Sequence, residues 1–207
     1  MARASRAQAE SHRREIVDAA SARVRECGVD GLTVPEMMAA AGLTHGGFYR
    51  HFSSKSDLVV QACAAAYAEK IQEMEAIRAD SGDGPAARAT FIERYLSTTH
   101  RDHPGRGCGI AATAADAARA PAGSPLRGAY REGLANMVAT LAGFGDDPDA
   151  DDAGALLEVA LMVGALTLAR AGADDEARSS RILQVAKDFL LGDQSGAGAS
   201  ARVSPAS

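Results

Sequence analysis

The chain has 207 residues and a net charge of −5, long enough for one compact unit or two small ones, and without the overall basicity that advertises nucleic acid. Cys27, Cys63 and Cys108 are an odd, widely spaced set with no C-x-x-C pair, which excludes a disulfide framework and a zinc ribbon. Charge is unevenly spread: residues 1–58 carry eight basic and seven acidic side chains and the rest 14 and 20, so any approach to DNA is expected from the N-terminal end.

Residues 1–10 are polar and expected to be mobile, with Arg3 and Arg6 available to a minor groove or a phosphate. Glu10–Cys27 is predicted as the first helix, with Ile16, Ala20, Val24 and Cys27 as its inner stripe and Gly28 as its stop. Thr33-Val34-Pro35-Glu36 has the capping-box pattern, and Pro35 suits a first helical turn, where its missing N–H is not needed. Val34, Met37, Met38 and Ala41 then repeat at helical spacing, Gly42 stops the helix, Leu43 fills the turn and Thr44 caps a second, shorter helix. On that helix Phe48 and Phe52 share an inner face, leaving His45, Gly46, Tyr49 and Arg50 on the others. Ser54-Lys55-Ser56-Asp57 repeats the capping-box pattern and places Lys55 in the first turn of a further helix, where free N–H groups and an ammonium make a phosphate clamp. Helix, glycine turn and short helix is the layout of a helix-turn-helix. An ordinary helical hairpin with a solvated Tyr, His and Lys face is the plainer reading; two caps, a glycine turn and a basic aromatic cluster within 25 residues favour the first.

From Ser54 a long helix is expected to run to about Ala79, then helices over Pro85–His100, Cys108–Arg119, Ser124–Phe144, Ala153–Ala171 and Asp174–Leu191. The segment Arg101–Gly107 reads as a loop. An acidic turn holds Asp147, Asp149, Asp151 and Asp152, and the Gly/Ser/Ala-rich tail from Gly192 is expected to be disordered. No strand pattern occurs, so the fold class is all-α with about nine helices. The domains are expected at 1–58 for a helix-turn-helix, 59–191 for a helical body and 192–207 for the tail. The N-terminus lacks an apolar signal region, and the most apolar stretch, Ala155 to Ala169, is interrupted by Glu158; a cytoplasmic protein with reduced thiols and no membrane span is expected.

Residues 33–58 resemble the DNA-binding signature of the TetR/AcrR family of bacterial transcriptional regulators. The matching residues are Gly42-Leu43-Thr44, Gly46, Phe48-Tyr49, His51-Phe52, Lys55 and Leu58. The resemblance is specific over about the first 60 residues; beyond them only length and helical character agree. It implies a homodimer on double-stranded operator DNA. Thr33, Thr44, Tyr49, His51 and Lys55 would position the DNA, and His45, Gly46, Tyr49 and Arg50 would read bases, with Gly47 in the same element. Pro35 stands where some relatives carry a base-reading side chain, so that contact is lost here. The resemblance also implies a four-helix dimer interface from the helices at 153–171 and 174–191, and an effector site in the body. Tyr67, Phe91, Tyr95, Thr113, Met137, Leu141 and Met162, with Met74 and Phe144, lie on the helices that would enclose an unknown small molecule, and they serve equally well as core.

Three other readings stand beside these. His100, His103 and Cys108 have a metal-like spacing but straddle a loop and lack a fourth ligand, so no metal or cofactor is expected. Cys108 near a helix start could be a reactive thiol, though burial as a small hydrophobe is the simpler account. The chain lacks G-x-S-x-G, a Walker loop and H-E-x-x-H, so it is not expected to be an enzyme; a helical interaction scaffold, or a non-classical enzyme using the body's pocket, is the alternative.

Overall fold

The structure, a computed structural model, describes residues 2–145 and 152–192. Among the described residues it is entirely helical: α1 (Ala2–Cys27), α2 (Val34–Ala40), a 3₁₀ segment (His45–Arg50), α3 (Lys55–Asp80), α4 (Gly84–Tyr95), α5 (Thr98–Asp102), a 3₁₀ turn (Pro104–Arg106), α6 (Gly109–Arg119), α7 (Pro125–Ala142), α8 (Ala153–Ala171) and α9 (Glu176–Leu191). The predicted acidic turn at Asp147, Asp149 and Asp151 and the tail from residue 193 lie outside the described residues.

Two helices differ from their predicted extents. α1 starts at Ala2 rather than Glu10, because no Gly or Pro occurs between residues 2 and 27 to stop an alanine-rich helix. The single helix predicted over Pro85–His100 is divided into α4 and α5. Ser97 makes the break: its hydroxyl donates to Arg94 O at 2.8 Å and accepts the His100 N–H at 3.1 Å, capping α5.

α3, 26 residues and roughly 39 Å long, is the spine. It packs against α1 and α7 most extensively, and against α4 and α6. Buried residues run along its whole length, from Leu58 to Ile77, and belong to one hydrophobic cluster that reaches from Ile16 in α1 to Leu190 in α9. α1 is held to α3 by an apolar and a polar strip side by side. Ile16, Ala20 and Val24 are fully buried. Next to them the Ser21 hydroxyl donates to Glu69 at 2.8 Å, and Arg25 pairs with the same carboxylate. Cys27, expected to close the inner stripe, is exposed, with its thiol turned back to Arg23 O at 3.0 Å. The buried face passes through Arg25 instead.

The loop after α1 is fastened to α6. Gly28 has φ +71°, and a Cβ there would lie 2.9 Å from Asp116 Oδ2. The same carboxylate accepts the Val29 N–H at 3.0 Å. Only glycine meets both demands.

His100 joins α4, α5 and α6. Its Nδ1 bonds Tyr95 O at 2.7 Å and its Nε2 accepts the Cys108 N–H at 3.0 Å, so the ring is held as the neutral tautomer with the proton on Nδ1. Burial, assisted by Lys70, lowers its pKa to about 4. Both ring nitrogens that a metal would use are occupied by the backbone, and His103 Nδ1 bonds Thr99 O at 2.9 Å.

α8 is apolar nearly all round, yet only one face is covered. Val159, Met162, Ala165, Leu166 and Ala169 are buried, while Leu156, Leu157 and Leu168 are exposed. Glu158, the break in its apolar run, receives Arg88 Nη2 at 2.6 Å and Arg88 Nε at 3.0 Å, and Arg88 also donates to Leu190 O, which locks α4, α8 and α9 together. By length and composition α8 alone among the described helices could cross a membrane, with 28% of its apolar window buried within the chain.

Candidate nucleic-acid interface

The expected helix-turn-helix is built around a Schellman turn. After α2, Gly42 has φ +68°; its N–H donates to Ala39 O at 2.9 Å and the Leu43 N–H donates to Met38 O at 2.8 Å. Met37 and Met38 are buried beneath, with Val34, Ala41 and Leu43 packed at the edge. The capping box at the start of α2 is not formed. Thr33 is extended and its hydroxyl donates to the Glu36 carboxylate at 2.7 Å, so the two side chains bond each other instead of the backbone. Thr44 likewise makes no side-chain cap.

The second element is tighter than an α-helix. Gly47 N donates to Thr44 O at 3.0 Å and His51 N to Phe48 O at 2.9 Å, giving a 3₁₀ segment over His45–Arg50. Adjacent glycines explain it in part, since each weakens an α-helix by about 1 kcal/mol relative to Ala. Packing supplies the rest. Phe48 and Phe52 are each 2% exposed and stack at 5.4 Å, and burial of each ring contributes on the order of 2–3 kcal/mol. A six-residue segment pinned by two large rings has little freedom to lengthen.

This anchoring leaves the other side chains outside. Tyr49 is 77% exposed, its ring edge-on to Phe48 at 5.2 Å. Thr33, Thr44, Gly46, Arg50 and Lys55 are exposed, and Gly47 and His51 are half-buried. His45 opens the segment. Lys55 begins α3 just after the expected cap: Ser54 Oγ accepts the Asp57 N–H at 3.0 Å, while Asp57 reaches back past Ser54 to the Ser53 N–H and hydroxyl, each at 2.9 Å. The Ser53 backbone bond holds the Asp57 carboxyl below the usual range. Neither Arg50 nor Lys55 forms an ion pair with a described residue, so both charges are available to an anion.

Sequence reasoning missed Arg13. From α1 its guanidinium lies over the Phe52 ring at 5.3 Å, and its Nε donates to His51 O at 3.2 Å, at the end of the 3₁₀ segment. His12, beside it, meets the His51 ring edge-on at 6.4 Å. His51 consequently has a lowered pKa, through partial burial first and then through His12, Arg13 and Arg50. Nothing local marked these residues, because their contacts span 38 positions of sequence.

The comparisons bear on this segment first. Residues 16–62 match the sequence profile of bacterial regulatory proteins of the tetR family. A curated relative, the HTH-type transcriptional regulator AcrR of Shigella flexneri, is 40% identical over 58 residues, which is 28% of this chain and 27% of AcrR. Among solved structures, a TetR transcriptional regulator from Chloroflexus aurantiacus is 26% identical with a TM-score of 0.72, covering 89% of this chain and 94% of its own. Residues 16–62 thus carry a tetR-family DNA-binding segment, and the chain as a whole has the fold of a TetR regulator. The reduced form of NemR from E. coli has the same fold, with 19% identity, a TM-score of 0.70 and coverage of 87% and 95%. Family likeness in sequence is concentrated in the segment that carries the interface just described.

The TetR-like body is well filled where an effector was expected. Tyr67, Phe91, Tyr95, Thr113, Met137, Leu141 and Met162 are all buried, as are Met74 and Phe144. Tyr67 donates to or accepts from Thr113 at 2.8 Å, and Phe91 meets Tyr95 at 5.7 Å. Burial pushes both tyrosine phenols well above their ordinary range. The Tyr95 hydroxyl is sealed from solvent beside the Cys108 thiol, with no nitrogen or oxygen partner. A cleft of about 460 Å³ lies beside this core between α6 and α7, floored by alanines and Tyr130, and a cavity of about 640 Å³ touches Tyr95 near Lys70, Glu73 and His103.

Proposed function

We propose that this chain is a homodimeric, ligand-responsive transcriptional repressor that binds a palindromic operator in the cytoplasm. The domain division is helix-turn-helix over 1–58, body over 59–191 and tail thereafter. One observation carries the reading: within the family-matching segment Phe48 and Phe52 are buried, while Tyr49, Arg50 and Lys55 stand free on the outer surface. In this reading Thr33, Thr44, Tyr49, His51 and Lys55 position the DNA, and His45, Gly46, Tyr49 and Arg50 lie against base edges, with Gly47 in the same element.

Dimerisation is supported by a second surface. Tyr49 apart, the large hydrophobics exposed among the described residues all belong to α8 and α9: Leu156, Leu157, Leu168, Val185 and Phe189. Leu168, Val185 and Phe189 line a groove of about 890 Å³ at Gly164, where a second copy's α8 and α9 would complete a four-helix interface. Effector response is supported by the cavity of about 640 Å³ that touches Tyr95 near Lys70, Glu73 and His103. α3 would transmit the response, since Lys55 at one end meets DNA while Tyr67 and Met74 further along face the body.

Footprinting on DNA flanking the protein's own gene tests the reading, with an inverted repeat expected. Lys55→Ala should weaken binding alike on all sequences and flatten the dependence of log affinity on log salt by about one unit. Binding that is insensitive to salt, or a Lys55→Ala protein with a changed sequence preference, would overturn the assignment.

A further inference from the structure

A cavity of about 440 Å³ lies where the end of α1 meets α5, α6 and α8, and it shares no lining residue with the DNA-facing segment or the α8–α9 groove. Three arginines from three helices line it: Arg25, Arg101 and Arg170. The side chains of Arg25 and Arg101 are only 6% and 5% exposed, whereas the carboxylates that pair with them, Glu69, Asp102 and Glu176, are 46%, 48% and 68% exposed. Both are held in the wall with their carboxylates on the water side; Arg101 is also bonded to Ser179 and Ser180, so its guanidinium is fully engaged and acts on the cavity only through its field. Arg170 has no carboxylate partner. Its Nε donates to Arg101 O at 3.2 Å and its Nη2 to His100 O at 2.7 Å. Desolvation lowers its pKa, the mark of a cation insufficiently compensated. Arg25 Nε, beside it, is sealed with no acceptor at all. Glu26 and Asp102 also border the space, but Glu26 is turned to Arg23 at 3.4 Å and Asp102 to Arg101 at 2.6 Å.

Guanidinium groups gathered in a protein wall ordinarily meet an anion. We propose that this cavity binds a small organic anion, a carboxylate or phosphate ester, with Arg170 as its main partner and Arg25 and Arg101 supplying the field around it. The volume falls within the range of small-molecule sites, about 300–1,000 Å³, and suits a metabolite-sized acid rather than a polymer. The place suits regulation. The cavity joins α1, whose Arg13 supports the 3₁₀ segment, to α6 and α8 of the body, so an occupant would clamp the two together. It is separate from the apolar core around Tyr67 and Met162 considered above.

Thermal unfolding and calorimetric titration of the full-length protein, without DNA, with inorganic phosphate and in parallel with succinate, each against chloride at matched ionic strength, test it. A saturable rise in Tm with at least one of the two is expected, and Arg170→Gln should weaken that binding by about tenfold to a hundredfold. Arg170 also holds two backbone carbonyls, so this variant can lose stability for another reason. Thr167→Glu avoids that difficulty: Thr167 is exposed on the cavity wall one turn before Arg170, and a carboxylate there would occupy the anion's place in a normally folded protein. It should abolish binding. No saturable effect of either anion on the folded wild type would overturn the proposal, as would undiminished binding by Thr167→Glu, which would put the anion elsewhere, such as at Arg50 and Lys55. With no DNA in the assay, its failure would leave the operator-binding reading standing.

Discussion

The two surfaces on which this protein would meet partners are built from opposite materials. The segment from Thr44 to Lys55 exposes one aromatic ring among hydroxyls, glycines and unpaired cations, over two buried phenylalanines. The α8–α9 face exposes leucines, a valine and a phenylalanine around a groove, with Arg178 and Arg181 at its edge. The first suits contacts that are many, weak and screened by salt; the second suits a contact whose strength grows with apolar area. They are also expected to differ in stiffness: the 3₁₀ segment is short and holds Gly46 and Gly47, each of which weakens a helix, whereas α8 and α9 are long helices tied to α4 by Arg88. A rigid dimer face carrying a softer reading segment would let a small change in the body alter the fit to DNA without separating the subunits.

The largest effect that would break this contrast is expected from Gly164→Phe. A Cβ at Gly164 meets nothing within 4 Å in its own chain, and the position lines the groove, so the variant should fold while filling that space. Sedimentation should report a monomer, and loss of bivalency should lower operator affinity by about a hundredfold or more. A folded dimer with wild-type affinity would place the interface elsewhere.

Two histidines extend the contrast to pH. His100 in the body is neutral when folded, with a pKa of about 4 against an ordinary 6.5. The unfolded chain thus takes up a proton first, and stability, constant above about pH 6.5, should fall by up to about 3 kcal/mol as the pH drops towards 4. Urea denaturation across that range should show the slope, flattened in His100→Gln. His51 at the DNA-facing segment also has a lowered pKa, but a phosphate beside it would raise it. Operator binding would then take up a proton, and affinity should rise by less than about tenfold as the pH is lowered from about 7 to about 6. The same rise in His51→Gln would remove His51 from the phosphate contacts.

The smallest effect concerns softness. An added Cβ at Gly46 meets nothing within 4 Å, while one at Gly47 would lie 3.4 Å from Met38 Cε, so Gly46→Ala is the cleaner probe. It should stabilise the segment by about 1 kcal/mol and slow hydrogen exchange over residues 44–52 in the free protein. Exchange that is already slow in the wild type would show that the segment is not loose.

What could be read from sequence was set by near neighbours in the chain. The all-α class, the stop at Gly42, the burial of Phe48 and Phe52 and the start of α3 at Lys55 all follow from helical periodicity and from a glycine or a cap within a few residues. The same locality fits the family profile, which matches residues 16–62. Other features depended on contacts between distant residues. The capping boxes were legible, but whether Thr33 would cap its helix or bond Glu36 depended on geometry that sequence does not carry. Cys27, expected in the buried stripe, is exposed, while Arg25 is buried against Glu69 across 44 residues of sequence. Arg13 became a support for the 3₁₀ segment, and Arg25, Arg101 and Arg170 came to surround one cavity, only when α1, α5 and α8 were packed together. Local propensity depends on short-range sterics and hydrogen bonds, which composition and spacing encode; charge constellations assembled from separate helices depend on packing, which only the tertiary structure decides.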